Sequence, residues 1–169
     1  MSGAVVLVGP MGVGKTTIGK KLAKQLGKSF VDTDKEIVKQ HGSIAKIFEK
    51  SGEQHFRAIE SEFLLSALAS DSVVATGGGV VTQERNRDAL QDSFVIYLST
   101  NGRHIASRLL AGRRPLLKNG IADWKRIYEE RKPLYEQVAT VEIETSSKAL
   151  NSVVSEIVEL VNSLSLIHI

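Results

Sequence analysis

The chain contains no cysteine, which excludes disulfide bonds and thiolate metal sites. It has no apolar run approaching the ~20 residues that a membrane-spanning helix needs. The N-terminal residues show no basic stretch followed by an apolar run and a small-residue cleavage site. A secretory signal is therefore not expected, and the expected location is cytoplasmic. Internal repeats, low-complexity segments and linker-like stretches are also lacking. Excess charge is scarce: 22 Lys and Arg against 19 Asp and Glu leave a net +3, too little to argue for a nucleic-acid partner. Lys20, Lys21, Lys24 and Lys28 look like a basic run. They alternate with Ile18, Leu22 and Leu26 at helical spacing, which predicts a solvated helix face.

What is present fits one globular domain across 1–169, with a core over about 3–164. The 42% apolar and 24% charged residues are ordinary for such a domain, and 169 residues can bury a real core. Continuous apolar runs at Ala4–Val8, Ser72–Thr76 and Phe94–Leu98 suit strands buried on both faces. Ser29–Asp32 and Thr140–Thr145 read as two further strands. Between them, helical periodicity predicts helices to about Leu26, over Asp34–Gln40, Ile44–Phe48, Phe56–Leu68, Gln83–Leu90 and Gly102–Leu110, and over Trp124–Tyr135 and Leu150–Leu164. "SGE" reads as a turn and Pro133 as a kink or stop. The tail "SLSLIHI" carries no motif. Strands alternating with helices predict an α/β sandwich around a parallel sheet.

Gly9, Gly14, Lys15 and Thr16 match G-x-x-x-x-G-K-[ST] between a buried strand and an amphipathic helix, the context that gives this motif its meaning. Glycines let consecutive N–H groups approach phosphate oxygens, and the helix N-terminus adds positive potential. Lys15 would reach the β- and γ-phosphates and Thr16 would ligate Mg²⁺. The expected anion is a nucleoside triphosphate with magnesium, held by Gly12, Val13, Gly14, Lys15, Thr16 and Thr17. Switch GTPases, ATPases and small-molecule kinases share this loop; the absence of an N-K-x-D segment speaks against a GTPase.

Asp32 and Asp34 end the second strand, where ligands of open α/β sheets bind. Asp32 could hold metal-bound water and Asp34 could accept a proton from an attacking hydroxyl. The competing reading is that one or both cap the next helix. Arg57 and Glu60 share a helix face, as a surface ion pair would. "TGGG" leaves bare backbone against which a flat ligand could lie, or simply a tight turn. Arg108, Arg113 and Arg114 mark a basic loop that could close over a transferred group. Arg131 reads either as a ligand or as a surface pair with a glutamate.

Taken together, "LVGPMGVGKTTIGKKLA", "FVDTDKEI", "GEQHFRAIE", "ATGGGVV", "RRPLL" and "RKPLYEQVA" resemble the shikimate kinase family over nearly the whole chain. The resemblance implies a P-loop kinase fold, a three-layer sandwich with a five-stranded parallel sheet in the order 2-3-1-4-5. It implies ATP and Mg²⁺, and transfer to the 3-hydroxyl of shikimate on the route to chorismate. By this resemblance Lys15 contacts phosphates, Thr16 ligates Mg²⁺, Asp32 supports it through water, and Asp34 binds the reacting hydroxyl. Arg57 and Arg131 hold the substrate carboxylate, Gly77, Gly78 and Gly79 line its ring, and Glu60 stands behind Arg57. Arg114 is the lid arginine and Arg108 covers the adenine. The lid would span about 108–122 and a substrate-binding helical segment about 33–62. A monomer acting on a small molecule is expected, with no nucleic acid and no membrane as partner. Rivals are another small-molecule kinase, for gluconate or a nucleoside monophosphate, and a nucleotide-dependent regulatory module without transfer chemistry.

Overall fold

The computed structural model describes residues 3–109, 117 and 119–167. Five parallel strands, β1 (Val5–Val8), β2 (Ser29–Asp32), β3 (Ser72–Ala75), β4 (Phe94–Ser99) and β5 (Val141–Glu144), form one sheet in the order β2-β3-β1-β4-β5. Alternation along the strands divides the core in two. Val6, Val8, Val74, Val95 and Tyr97 pack on one face with Leu64 and Ala67 of α3 (Ile44–Leu68), Leu90 of α4 (Glu84–Leu90), Ile105 of α5 (Ile105–Leu109) and Trp124, Tyr128 and Tyr135 of α6 (Ile121–Val138). Val5, Leu7, Val73, Phe94, Ile96, Leu98 and Ile143 pack on the other with Ile18, Leu22 and Ala23 of α1 (Lys15–Leu26) and Val153, Val154 and Ile157 of α7 (Leu150–Ile167). Both faces are covered, as the uninterrupted apolar runs require. Burying a side chain such as Leu22 stabilises the sandwich by ~1.5–3 kcal/mol.

Four predicted details change. The helix expected to kink or stop at Pro133 continues to Val138. Proline removes the N–H that would reach the Glu129 carbonyl. Glu129 and Pro133 both face solvent, where water can take that carbonyl, while Tyr128, Arg131 and Tyr135 hold the opposite face inside. The "SGE" turn is a single non-helical residue, Gly52, with φ 84° inside α3. Lys28 is not part of a free solvated face: its ammonium pairs with Asp71 and donates to the Gly3 carbonyl at 3.0 Å. The last helix also extends three residues beyond the predicted Leu164, to Ile167.

The register places the chemistry. Asp32 pairs with Ala75, and Leu7 with Ala75 and Ile96. The carboxyl ends of β1, β2 and β3 therefore open together into the phosphate loop, α2 (Thr33–His41) and the glycine triplet. Thr76 Oγ1 ties the last of these to the first by donating to the Leu7 carbonyl at 2.7 Å. Among the described residues, no helix is long and apolar enough to cross a membrane.

Candidate active site

The phosphate loop is shaped by glycines at two points. Gly9 has φ 151° and a Cβ there would lie 2.5 Å from the Leu98 carbonyl oxygen; Gly14 has φ 106° and caps α1 without a side-chain hydrogen bond. The first turn of α1 thus offers backbone N–H groups outward, the usual basis of an anion site. Lys15 Nζ donates to the carbonyls of Gly9 at 2.6 Å and Pro10 at 2.9 Å, which hold the ammonium at the mouth of the loop. Gly12, Gly14, Lys15, Thr16, Thr17, Asp32 and Arg108 line a cavity of about 490 Å³. Val13 differs: its side chain is buried in the core, so only its backbone can serve an anion.

Asp32 takes the capping role raised for it and also holds the Thr16 hydroxyl. Its Oδ1 caps α2 by accepting from Lys35 N at 3.1 Å, and its Oδ2 accepts from Thr16 Oγ1 at 2.6 Å. Asp34 is not the cap. Its side chain is half-buried, and its Oδ1, itself out of water, has no hydrogen-bond partner among the described residues. Burial first, then Glu60 and Asp32, push its carboxyl up to about 6 against the opposing pull of Lys15 and Arg57. A buried acceptor without a donor is costly, and a bound hydroxyl would relieve that cost.

A second cavity of about 500 Å³ lies beside the first, with Asp34, Arg57, Glu60, Gly77, Gly78, Gly79 and Arg131 in its lining. Met11, Val38, Phe48 and Phe56 give it apolar walls. Met11, Asp34, Val38, Gly77 and Gly78 line both cavities, so the two spaces meet at the Asp34 carboxylate.

The surface-pair reading of Arg57 and Glu60 is overturned: both are buried, at 5% and 1% exposure. Arg57 Nη1 donates to Glu60 Oε1 at 2.9 Å, its Nε to Glu53 Oε2 at 3.2 Å, and its guanidinium lies 5.2 Å over the Phe56 ring. Burial lowers the Arg57 pKa, but Glu60 and Glu53 more than reverse it. Burial raises the Glu60 pKa, with Arg57 opposing. Arg131 is buried too, at 8% exposure.

The glycine triplet serves a purpose that its sequence did not disclose. A Cβ on Gly77 would meet Asp34 Oδ1 at 2.8 Å and Glu60 Oε2 at 2.9 Å, and one on Gly79 would overlap the Arg57 guanidinium. The missing side chains make room first for the protein's own charged groups.

A family model for shikimate kinase matches residues 11–162. The chain is 43% identical to the shikimate kinase of a Marinomonas species, over 92% of this chain and 90% of that one. It is 40% identical to that of Bacillus cytotoxicus, over 95% and 99%. Among solved structures, shikimate kinase from Acinetobacter baumannii in complex with shikimate superposes with a TM-score of 0.89 at 40% identity, covering 96% of this chain and 94% of that one. The enzyme from Aquifex aeolicus gives 0.81 at 32%, covering 96% and 98%. This chain belongs to the shikimate kinase family.

Within that shikimate kinase frame, the structure gathers the sequence-predicted residues around two connected cavities. Arg113, Arg114 and most of the expected lid lie outside the described residues. Arg108 Nη1 donates to the Gly12 carbonyl at 2.7 Å. Arg108 also borders a small cavity of about 70 Å³ with Thr100, Ser146 and Lys148. Sequence reasoning missed Glu53, Met11, Val38, Phe48 and Phe56. Glu53 stands four residues before Arg57, a spacing that could have suggested the pair. Val38, Phe48 and Phe56 lie on helices, where an apolar residue serves a cavity wall and a core alike, and Met11 lies in the phosphate loop, where its type gives no signal.

Proposed function

We propose that this protein transfers the γ-phosphoryl group of ATP to the 3-hydroxyl of shikimate, giving ADP and shikimate 3-phosphate. The observation that carries the reading is the meeting of a phosphate-loop cavity and an arginine-lined acceptor cavity at Asp34. Triphosphate would lie against the N-terminus of α1, with Lys15 turning from the loop carbonyls to the phosphates. Shikimate would lie in the second cavity, its carboxylate toward Arg57 and Arg131 and its ring against Gly77, Gly78 and Gly79. Planar guanidinium groups suit a planar carboxylate. Asp34 would hold the 3-hydroxyl in line with the γ-phosphorus and take its proton.

Mg²⁺ fits the residues present. The Thr16 hydroxyl and an Asp32 carboxylate oxygen lie 2.6 Å apart at the phosphate-loop cavity, and hard oxygens of this kind suit the ion. Among the described residues no group of three or more His, Cys, Asp or Glu could hold a metal, so phosphate and water would complete the shell. When bound, the ion would neutralise charge on the phosphates. Thr16 and Asp32 would hold it, Arg108 would cover the adenine from beside the small cavity, and Arg114 would meet the γ-phosphate. Positioning and charge neutralisation dominate such transfers. The same reading has a cytoplasmic monomer, which sedimentation of the purified chain can test.

A coupled assay of ADP release tests the reaction. ADP should appear rapidly only when shikimate is present, and Lys15→Ala should abolish that signal while leaving the thermal transition intact. ADP release that ignores shikimate would refute transfer to it.

A further inference from the structure

The Tyr135 hydroxyl donates to the Gly78 carbonyl oxygen at 2.5 Å, and the phenol is buried at 1% exposure. No step above uses it. The trans peptide between Gly78 and Gly79 is planar, so its N–H points opposite to its C=O. With the carbonyl drawn into the core by Tyr135, the Gly79 N–H is turned away from the core. Gly78 and Gly79 both line the acceptor cavity. Glycine has unusual backbone freedom, so two adjacent glycines need an external tether to keep one peptide orientation.

Tyr135 is well placed to be that tether. Its ring stacks on Tyr97, with centroids 5.2 Å apart, and lies 6.1 Å from that of Tyr128. It shares α6 with Arg131, one turn away, and Arg131 Nη1 lies 3.6 Å from the point where a Cβ on Gly78 would sit. One helix therefore sets both a carboxylate-facing guanidinium and the orientation of the backbone beside it.

We propose that Tyr135 is a positioning residue for the acceptor: its hydroxyl locks the Gly78–Gly79 peptide so that an N–H donor, and not a carbonyl, faces the shikimate cavity beside Arg131. The inference rests on the shikimate reading given above. A carbonyl turned inward would repel a carboxylate or hydroxyl oxygen. An N–H turned inward can donate to either.

Tyr135→Phe keeps the ring and removes the tether. The expected result is a rise of roughly 5- to 10-fold in KM for shikimate, the equivalent of about one hydrogen bond. The kcat and the KM for ATP should stay within about twofold. Tyr97→Phe is the matched control, since the Tyr97 hydroxyl is also buried but shares its hydrogen bond with Tyr128 at 2.6 Å, away from the glycines. It should lower the melting temperature and leave KM for shikimate unchanged. An unchanged KM in Tyr135→Phe, or equal rises in both variants, would overturn the positioning role while shikimate-dependent turnover of the wild type still upheld the function. A wild type that ignores shikimate would overturn both. A Tyr135→Phe protein that does not fold would be replaced by Tyr135→Trp, which keeps an aromatic ring but cannot place a hydroxyl at Gly78. The same KM rise would be expected there, and its absence would overturn the proposal.

Discussion

The carboxyl end of the sheet and its amino end carry charge in contrasting ways. At the carboxyl end, Arg57, Glu60 and Arg131 are buried and Asp34 half-buried around the glycine triplet, and one buried oxygen each of Asp34 and Glu60 has no hydrogen-bond partner among the described residues. At the amino end, ahead of β1, β2 and β3, Lys28 pairs with Asp71 and the Gly3 carbonyl, and the Asp71 side chain is 74% exposed. Both ends hold ion pairs. Only the buried end holds them at a cost to stability, with acceptor capacity unspent. The difference separates charge held out of water around a cavity from charge that sits at a surface.

The sharpest way to break this comparison is Asp34→Asn. Its shape is kept and its charge removed, so turnover should fall by about 10²–10⁴ if the carboxylate takes or orients the hydroxyl proton. Stability should move the other way. The folded protein holds the Asp34 proton up to about pH 6, while the unfolded chain releases it near 3.8. The folded state thus binds more protons between those values, and the contribution of Asp34 to stability falls as pH rises through that window. In buffer without ATP or magnesium, the variant should melt above the wild type at pH 7, with the gap closing below pH 4. Normal turnover at saturating shikimate, or a lower melting temperature at pH 7, would show that Asp34 is not the strained centre of this end.

A smaller effect should follow at Arg131, which the proposed function sets against the substrate carboxylate. Arg131→Ala should weaken shikimate binding by about 10- to 100-fold, the range for losing a charge-assisted hydrogen bond, and barely alter ATP affinity. Lysine should rescue poorly, since it lacks the planar fork. A shikimate carboxamide gives the cross-check: it should bind the wild type far worse than shikimate does, yet distinguish little between wild type and Arg131→Ala. An equal carboxamide penalty in both proteins would mean that Arg131 does not read the carboxylate.

The two halves of the site were unequally legible in the sequence. The phosphate loop was legible because it is local: Gly9 to Thr17 carry their spacing and their strand–helix context together. The sheet was legible for a related reason, since runs such as Val5–Val8 and Phe94–Ser99 are buried on both faces and need no partner to be recognised. The acceptor cavity draws on α2, α3, the turn after β3 and α6. Arg57 with Glu60 has the same spacing as a surface pair, and only the resemblance to a family favoured the other reading. Burial, which decides between them, is a tertiary property. The crowding of Gly79 by Arg57 and the tether from Tyr135 to Gly78 bridge 22 and 57 residues, respectively, distances at which spacing carries no information.

The smallest expected effect tests the amino end. Lys28 and Asp71 form an ion pair as clearly as Arg57 and Glu60 do, but the Asp71 side chain is mostly in water. Water and salt weaken such a pair, and exposed pairs contribute only ~0–1 kcal/mol. Removing one partner of a buried pair costs more, about 3–5 kcal/mol, because the other charge stays behind without compensation. Asp71→Ala leaves Lys28 its bond to the Gly3 carbonyl, so no charge is stranded. The melting temperature should fall by at most about 4 °C, the shift that ~1 kcal/mol produces in a domain of this size. The loss should shrink further in 0.5 M salt, and both KM values should stay at the wild-type level. Glu60→Gln should instead cost several times more stability, resist salt and raise KM for shikimate, because it loosens Arg57 inside the cavity. If Asp71→Ala cost as much as Glu60→Gln, or altered either KM, exposure would not be what distinguishes the two ends, and the ties among the amino ends of β1, β2 and β3 would have to be counted among the supports of the site.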